Sequence, residues 1–178
     1  MIENKIIYGF SDIHVCTHDG TPIPIKGAIS VDINVNRPYV DGYTNHGNMR
    51  FYGKFKAEGK LKLLGLTEEE QCTLFGYNKA KNGGIVIGAE QSSPNLKLLF
   101  SRENYQGNKI LYCFYSVKFN PSNLTANTID LKKGLEEDIL EIDFVANEDN
   151  EGLLYYTIDT DSNDIVNTWF NKVQYPEF

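Results

Sequence analysis

Residues 27–36, GAISVDINVN, alternate almost without error: Ile29, Val31, Ile33 and Val35 fall on one parity, and Ser30, Asp32, Asn34 and Asn36 on the other. Successive side chains of a strand point to opposite faces, so this run is a strand with one dry face and one wet face. The pattern returns in Phe55, Ala57, Leu61 and Leu63 against Lys54, Lys56, Glu58, Lys60 and Lys62. It returns again in Leu140, Ile142 and Phe144 against Glu141 and Asp143. Each segment must give its apolar parity to a core; its polar parity is left for water, a ligand or the inside of something larger. No other feature constrains the fold as strongly.

Further strands are expected within Ile6–Thr17, with Ile7, Ile13 and Val15 on one parity, and in GLLYYTID. LKLLFSRE and KILYCFYSVKF read as two more, separated by the turn region NYQGN. HDGTPIP interrupts the early part of the chain, because Asp-Gly supplies a turn and Pro22 and Pro24 cannot donate to a ladder. Residues 37–53, RPYVDGYTNHGNMRFYG, carry a proline, three glycines and two asparagines. They read as a long loop at the tip of a hairpin, not as an element, and loops of that length are usually functional.

Two segments change period. In LTEEEQCTLFGY, Thr67 and Glu70 form a capping box, and Glu68–Glu70 sit where a helix dipole favours negative charge. Cys72 and Phe75 share the face expected to lie on the sheet, with Gly76 as the stop. At the end of the chain Ile165, Val166, Trp169, Phe170 and Val173 recur at helical spacing behind Asp161 or Ser162 as the cap, before Pro176. The expectation is one domain over residues 1–178 of α+β class, mainly β. It is an antiparallel sandwich or barrel with one short central helix and a C-terminal amphipathic helix.

The chain has 178 residues, enough to bury roughly 70% of its unfolded surface without disulfide or metal. Seventeen Lys and Arg stand against 24 Asp and Glu, a net charge of −7 with no basic stripe, which argues against affinity for phosphate backbones. Cys16, Cys72 and Cys113 are odd in number, far apart and without a C-x-x-C pair, and read as free buried thiols of a reducing compartment. There is no basic-then-apolar leader and no run of ~18 apolar residues, so a soluble chain made in the cytosol is expected. Asn123–Thr125 match a glycosylation acceptor, by chance on that reading. His14, His18 and His46 have no metal-ligand spacing, and no H-E-x-x-H, G-x-S-x-G, P-loop or G-x-G-x-x-G occurs. Neither catalysis nor a metal nor a cofactor is expected.

The order of features resembles one family. IIYGFSDIHV is followed by TPIPIKGAISVDI, the long polar-aromatic loop, LKLLFSRE with KILYCFYSV, and the closing NTWFNKV. Over nearly the whole chain this succession is similar to the major tail protein (tail-tube protein) family of long, non-contractile-tailed bacteriophages. The resemblance implies a structural subunit with a flanking helix that closes into homohexameric rings. Stacked rings make a tube around the tape measure protein, bounded by tail terminator and distal tail proteins, and genomic DNA later passes through without specific binding. It implies no enzyme, no cofactor and no membrane, and a location in the host cytoplasm during assembly and then in the virion tail.

On that reading Ser30, Asp32 and Asn34 face the lumen, with Glu141 and Asp143 as further contributors. Lys54, Lys56, Lys60 and Lys62 are expected to pair with carboxylates across strands and across subunits. The loop becomes an arm to the next subunit or ring through Tyr39, Tyr43, Asn45, His46 and Asn48, and through Met49, Arg50, Phe51 and Tyr52. Two other readings stay open: a β-sandwich module binding carbohydrate or another ligand, and a tube subunit of a contractile injection machine.

Overall fold

The computed structural model describes residues 6–17, 20–45, 47–121 and 139–177. The first five residues, His18, His46, and Asn123–Thr125 lie outside the described residues. The first half of the chain forms β1 (Ile7–Cys16), β2 (Ile23–Pro24), β3 (Ala28–Asn36), β4 (Tyr39–Thr44), β5 (Gly47–Tyr52) and β6 (Lys56–Leu63). Helix α1 (Glu68–Phe75) and a small ribbon of β7 (Asn78–Lys79) and β8 (Ile85–Val86) follow. Then come β9 (Leu96–Asn104), β10 (Lys109–Phe119), β11 (Leu140–Asn147), β12 (Tyr155–Thr160) and α2 (Asn163–Asn171). The class is α+β, mainly antiparallel β.

Eight strands form one antiparallel sheet in the order β2-β1-β9-β10-β11-β6-β3, with β12 added beside β10. β10 is the spine. Its first half, Lys109–Phe114, pairs with β12, and its second half, Ser116–Phe119, pairs with β11. The sheet therefore forks, and its two wings fold over one core. Ile13, Val15, Leu98, Phe100 and Phe114 come from one wing, and Leu61, Leu63, Ile142 and Phe144 from the other. Leu74 and Phe75 of α1 close the end of that core. Among the described residues the sheet does not close into a barrel: β2 and β3 end its path.

A second apolar cluster lies on the opposite face of β1, β9 and β10, where Cys16, Leu99, Leu111, Cys113 and Tyr115 pack against Trp169 of α2. β9 thus gives Leu98 and Phe100 to one cluster and Leu99 to the other. That is why LKLLF is apolar on both parities.

Both helices start at side-chain caps. Glu70 N–H donates to Thr67 Oγ1 at 3.2 Å while Thr67 N–H donates to Glu70 Oε2 at 2.8 Å. Gly76 ends α1 in the left-handed region at φ +70°, its N–H bonded to Cys72 O, a conformation that favours glycine. Ser162 caps α2 through Ile165 N–H.

Four local expectations are corrected. Residues 37–53 are not a loop: β4 and β5 pair in register from Tyr39↔Tyr52 to Thr44↔Gly47. The glycine and asparagine content that suggested a loop sits partly in the turn, where Gly47 takes φ +128°. It sits partly at Gly42, over which the Phe51 ring lies. Ile29 does not share the dry face of β3. A bulge between Ala28 and Ser30 makes it the extra residue, 43% exposed. Ile7 keeps the parity of Val15, because the two register shifts between Tyr8 and His14 cancel. Yet it lies at the end of β1 opposite Asn104, 38% exposed and outside the core. Val173 lies past the end of α2, although it still packs on the second cluster.

Candidate functional site

The three two-faced segments become neighbours. β6 pairs with β3 on one side (Ser30↔Lys62, Asp32↔Lys60, Asn34↔Glu58) and with β11 on the other (Glu141↔Lys62, Asp143↔Lys60). Paired residues of an antiparallel ladder share a face, so all five residues assigned to a lumen from the sequence lie on one polar surface, interleaved with the lysines. Asp32, Glu58, Glu141 and Asp143 stand there with Lys56, Lys60 and Lys62.

The lysines are partnered within the chain. Lys60 Nζ donates to Glu141 Oε2 at 2.8 Å and lies 3.9 Å from Asp143. Lys62 Nζ lies 3.1 Å from Glu141, and Lys56 bonds Glu58 at 2.8 Å. The hydrogen bond to Glu141, reinforced by its charge, raises the Lys60 pKa, and the hydrogen bonds from Lys60 and then Lys62 lower that of Glu141. Lys54 stands apart from this ladder, 4.0 Å from Glu148. Exposed pairs of this kind add little stability, and their effect is to fix register and cancel charge.

A test follows from that cancellation. Reversing both Glu141 and Asp143 to lysine is expected to create binding to double-stranded DNA that the parent lacks. It should weaken with salt at a log–log slope of about −2 if each new lysine meets one phosphate. Filter binding at several salt concentrations reads it, and equal binding by parent and variant would contradict it.

Among the described residues the β4–β5 hairpin pairs with no further strand, and it extends from the ends of β3 and β6 as a separate ribbon. Its register gives it two unlike faces. Tyr39, Asp41, Tyr43, Asn48, Arg50 and Tyr52 share one; Val40, Gly42, Met49 and Phe51 share the other. The first is knitted together. Arg50 donates to both Asp41 oxygens at 2.7 and 3.1 Å, and its guanidinium lies 3.9 Å from the centre of the Tyr39 ring. At the base, Arg37 lies over Tyr52 and Phe55, and its Nε donates to Gly53 O at 3.0 Å. The other face has no cover among the described residues: Val40 is 70% and Phe51 59% exposed. The residues named for an arm are thus split. Met49 and Phe51 are on the apolar face, Tyr39, Tyr43, Asn48, Arg50 and Tyr52 on the other, Asn45 in the turn, and His46 outside the described residues.

A third feature escaped sequence reasoning. A cleft of about 430 Å³ opens beside β3, lined by Phe10, Phe100, Tyr112, Phe114 and Tyr155 together with Val31, Ile33, Val35, Asp32 and Arg102. The aromatic rings run across the wing: Phe10–Phe100 at 5.9 Å, Phe100–Tyr112 at 4.9 Å, Phe114–Tyr155 at 5.1 Å. Five strands contribute to it, so no local pattern announces it.

One constellation has the outline of a catalytic group. Ser11 Oγ lies 2.9 Å from Ser101 Oγ and 3.2 Å from Lys109 Nζ, with Asp12 Oδ2 within 3.4 Å of all three. Burial acts against the charged forms of both Asp12 and Lys109. Hydrogen bonds from Ser101 and Ser11 outweigh it and lower Asp12; Glu103 and Asp12 outweigh it and raise Lys109. An ammonium held in its charged form is no base for a serine. The cluster instead clamps the irregular part of β1, where Asp12 adopts φ +55°. Among the described residues no group of three or more His, Cys, Asp or Glu is arranged to hold a metal ion, and no helix is long and apolar enough to cross a membrane.

The helix-packing residues are distributed as follows. Trp169 is buried in the second cluster with Val166, Phe170 and Val173 against it, while Ile165 is exposed. On α1 the buried pair is Leu74 and Phe75, with Cys72 half-buried.

No protein-family model and no curated protein matches the sequence. Among solved structures the chain is similar to the cap that terminates the tube of an anti-feeding prophage, at 13% identity and TM-score 0.47, over 84% of this chain and 89% of that one. It is similar to a chain of the sheath–tube complex of an extracellular contractile injection system in its extended state, at 13% identity and TM-score 0.46, over 89% and 96%. It is also similar to the sheath/tube terminator of such a system, at 14% identity and TM-score 0.39, over 84% and 93%. The sequence resemblance named tubes of non-contractile tails, whereas these solved structures come from a prophage and a contractile injection system.

Proposed function

We propose that this chain is a structural subunit of a phage-type tail tube, a major tail protein whose copies close into rings and stack. In this reading the charge-balanced face of β3, β6 and β11 turns toward the common passage. The tape measure protein, the terminating proteins at the tube ends and the genomic DNA in transit are its partners, and DNA is passed without being held. A wall whose lysines are already bonded to its own carboxylates offers few free cations to phosphate, and each free cation would add salt-dependent drag.

The observation that carries the proposal is the hairpin. A two-stranded ribbon is marginal by itself in water. This one is braced on one face by Arg37, Arg50 and Asp41, and on the other it exposes Val40, Met49 and Phe51. A braced apolar face held away from its own core is a contact surface for another molecule. Head-to-tail contacts of one chain with its copies give rings when they close and filaments when they do not.

The test is assembly. Purified protein is expected to form rings or tubes in negative stain and a large species on gel filtration. Met49→Ser with Phe51→Ser should leave the fold and melting temperature of the subunit intact and abolish tube growth. Tubes of normal length from that variant would reject the arm. A sheath gene beside this one would move the proposal to a contractile machine.

The aromatic cleft favours a second reading, a ligand-binding module. It requires a subunit that stays single at high concentration and a soluble ligand that perturbs Tyr155.

A further inference from the structure

Among the described residues the hairpin has a surface without a partner, and so does the sheet. β3 is the last strand in the order and among the described residues pairs only with β6, so its other edge has no ladder partner there along a nine-residue strand. The protection of this edge is thin, with Asp32 as its one charged residue. β3 contains no lysine and no proline, and its one bulge lies at the far end, beside Ile29. Below that edge lies the aromatic cleft, walled by Val31, Ile33 and Val35 and floored by Phe100 and Phe114. Asn36, the last residue of β3, holds a buried side-chain oxygen with no hydrogen-bond donor among the described residues.

Resting on the tube reading, we propose that the β4–β5 hairpin of one copy adds to the free edge of β3 in a second copy and lays Val40, Met49 and Phe51 over the aromatic cleft. The lengths suit: the hairpin strands have six residues each against nine in β3. The faces suit as well. A strand added to β3 continues both of its faces, so the apolar side of the hairpin meets the side of Val31 and Ile33. The Asp41–Arg50 pair then extends the polar ladder of Asp32 and Lys60. Within one copy β4 pairs with β5 and β3 with β6, so this contact belongs to a neighbour. Donor and acceptor are different surfaces of the same chain, which makes the contact heterologous and able to propagate.

The experiment compares two variants and their mixture. In the donor variant, Met49→Asp and Phe51→Asp remove the apolar face of the hairpin. In the acceptor variant, Val35→Lys and Tyr155→Lys charge the rim of the cleft. All four side chains are exposed in the subunit, so circular dichroism and melting should match the parent. Each variant alone is expected to remain a single subunit, with its assembly concentration raised by about a hundredfold or more, the result of leaving a charge in a dry contact.

Mixed in equal amounts, the intact hairpin of one variant should enter the intact cleft of the other, and sedimentation should show a discrete dimer and nothing longer. Normal assembly of the acceptor variant beside failure of the donor variant would overturn the cleft as receptor and leave the tube reading standing. The cleft is overturned in the same way if both variants assemble, or if the mixture gives no dimer. A parent protein that stays single at every concentration would remove both.

Discussion

Trp169→Ala is expected to lower the stability of the folded chain by about 3–5 kcal/mol, the range for emptying a large aromatic site in a core. Trp169 is 1% exposed. It is the largest side chain of the second cluster, enclosed by Cys16, Leu99, Leu111, Cys113 and Tyr115 from three strands. Its ring lies 5.3 Å from that of Tyr156, and its Nε1–H donates to Tyr112 O at 3.4 Å. Alanine removes the packing and this hydrogen bond, and the strands around it are tied by their own ladders and cannot collapse into the space. The other attachments of α2 are the half-buried Val166 and Phe170, and its exposed face carries Asp164, Asn167 and Asn171. The helix should therefore detach at lower denaturant than the sheet unfolds.

For a chain of this size each kcal/mol moves the melting temperature by about 2–4 °C, so a drop of roughly 10 °C is expected by circular dichroism. Trp169→Phe should recover part of it. A variant melting within about 2 °C of the parent would show that α2 does not depend on this anchor.

The second large effect is expected at Gly59. This glycine is the middle residue of a three-strand array, opposite Ile33 on one side and Phe144 on the other. A Cβ built on it would meet the end of the Phe144 ring and lie 2.8 Å from Asp32 O. One obstacle is a side chain packed in the core against Phe119; the other is the backbone of the neighbouring strand. Either Phe144 leaves its place or β3 moves away from β6, and overpacking of this kind costs about 1–3 kcal/mol.

Gly59→Ala is expected at the upper end, about 3 kcal/mol, read from the urea midpoint at an unchanged slope. Phe144→Leu placed in the Gly59→Ala background should recover more than it costs alone, a coupling that a double-mutant cycle isolates. Additive effects would mean that the ring and the glycine do not compete for one space. Because β3 carries both the polar face and the proposed docking edge, the variant should also lose assembly out of proportion to its loss of stability.

How far the chain could be understood before its fold was known depends on the range of the interaction. The parities of residues 27–36, 56–63 and 140–147 were readable because a strand repeats every two residues and needs only its own sequence to show two faces. The capping box of Thr67 and Glu70 was readable because both partners lie within one turn. β1 obscured the same reasoning in its middle: one bulge flips parity at Ser11 and a second restores it by His14, and the cluster that clamps them brings Ser101 and Lys109 from far along the chain. The hairpin at 39–52 was hidden by its composition, since glycine and asparagine signal loops until a register shows that Gly42 shelters under Phe51.

By itself the sequence determined that several strands would each have a wet and a dry side, that two helices would flank them, and that no net basic charge would draw the protein to nucleic acid. Only the tertiary structure decided that the wet sides of β3, β6 and β11 merge into one lattice of paired charges. It alone decided that β3 is left as an open edge above an aromatic cleft, and that the apolar side of the hairpin is turned away from its own core. The reason is physical: alternation is a local property of the backbone, whereas strand order and the ends of a sheet follow from how distant segments share one core.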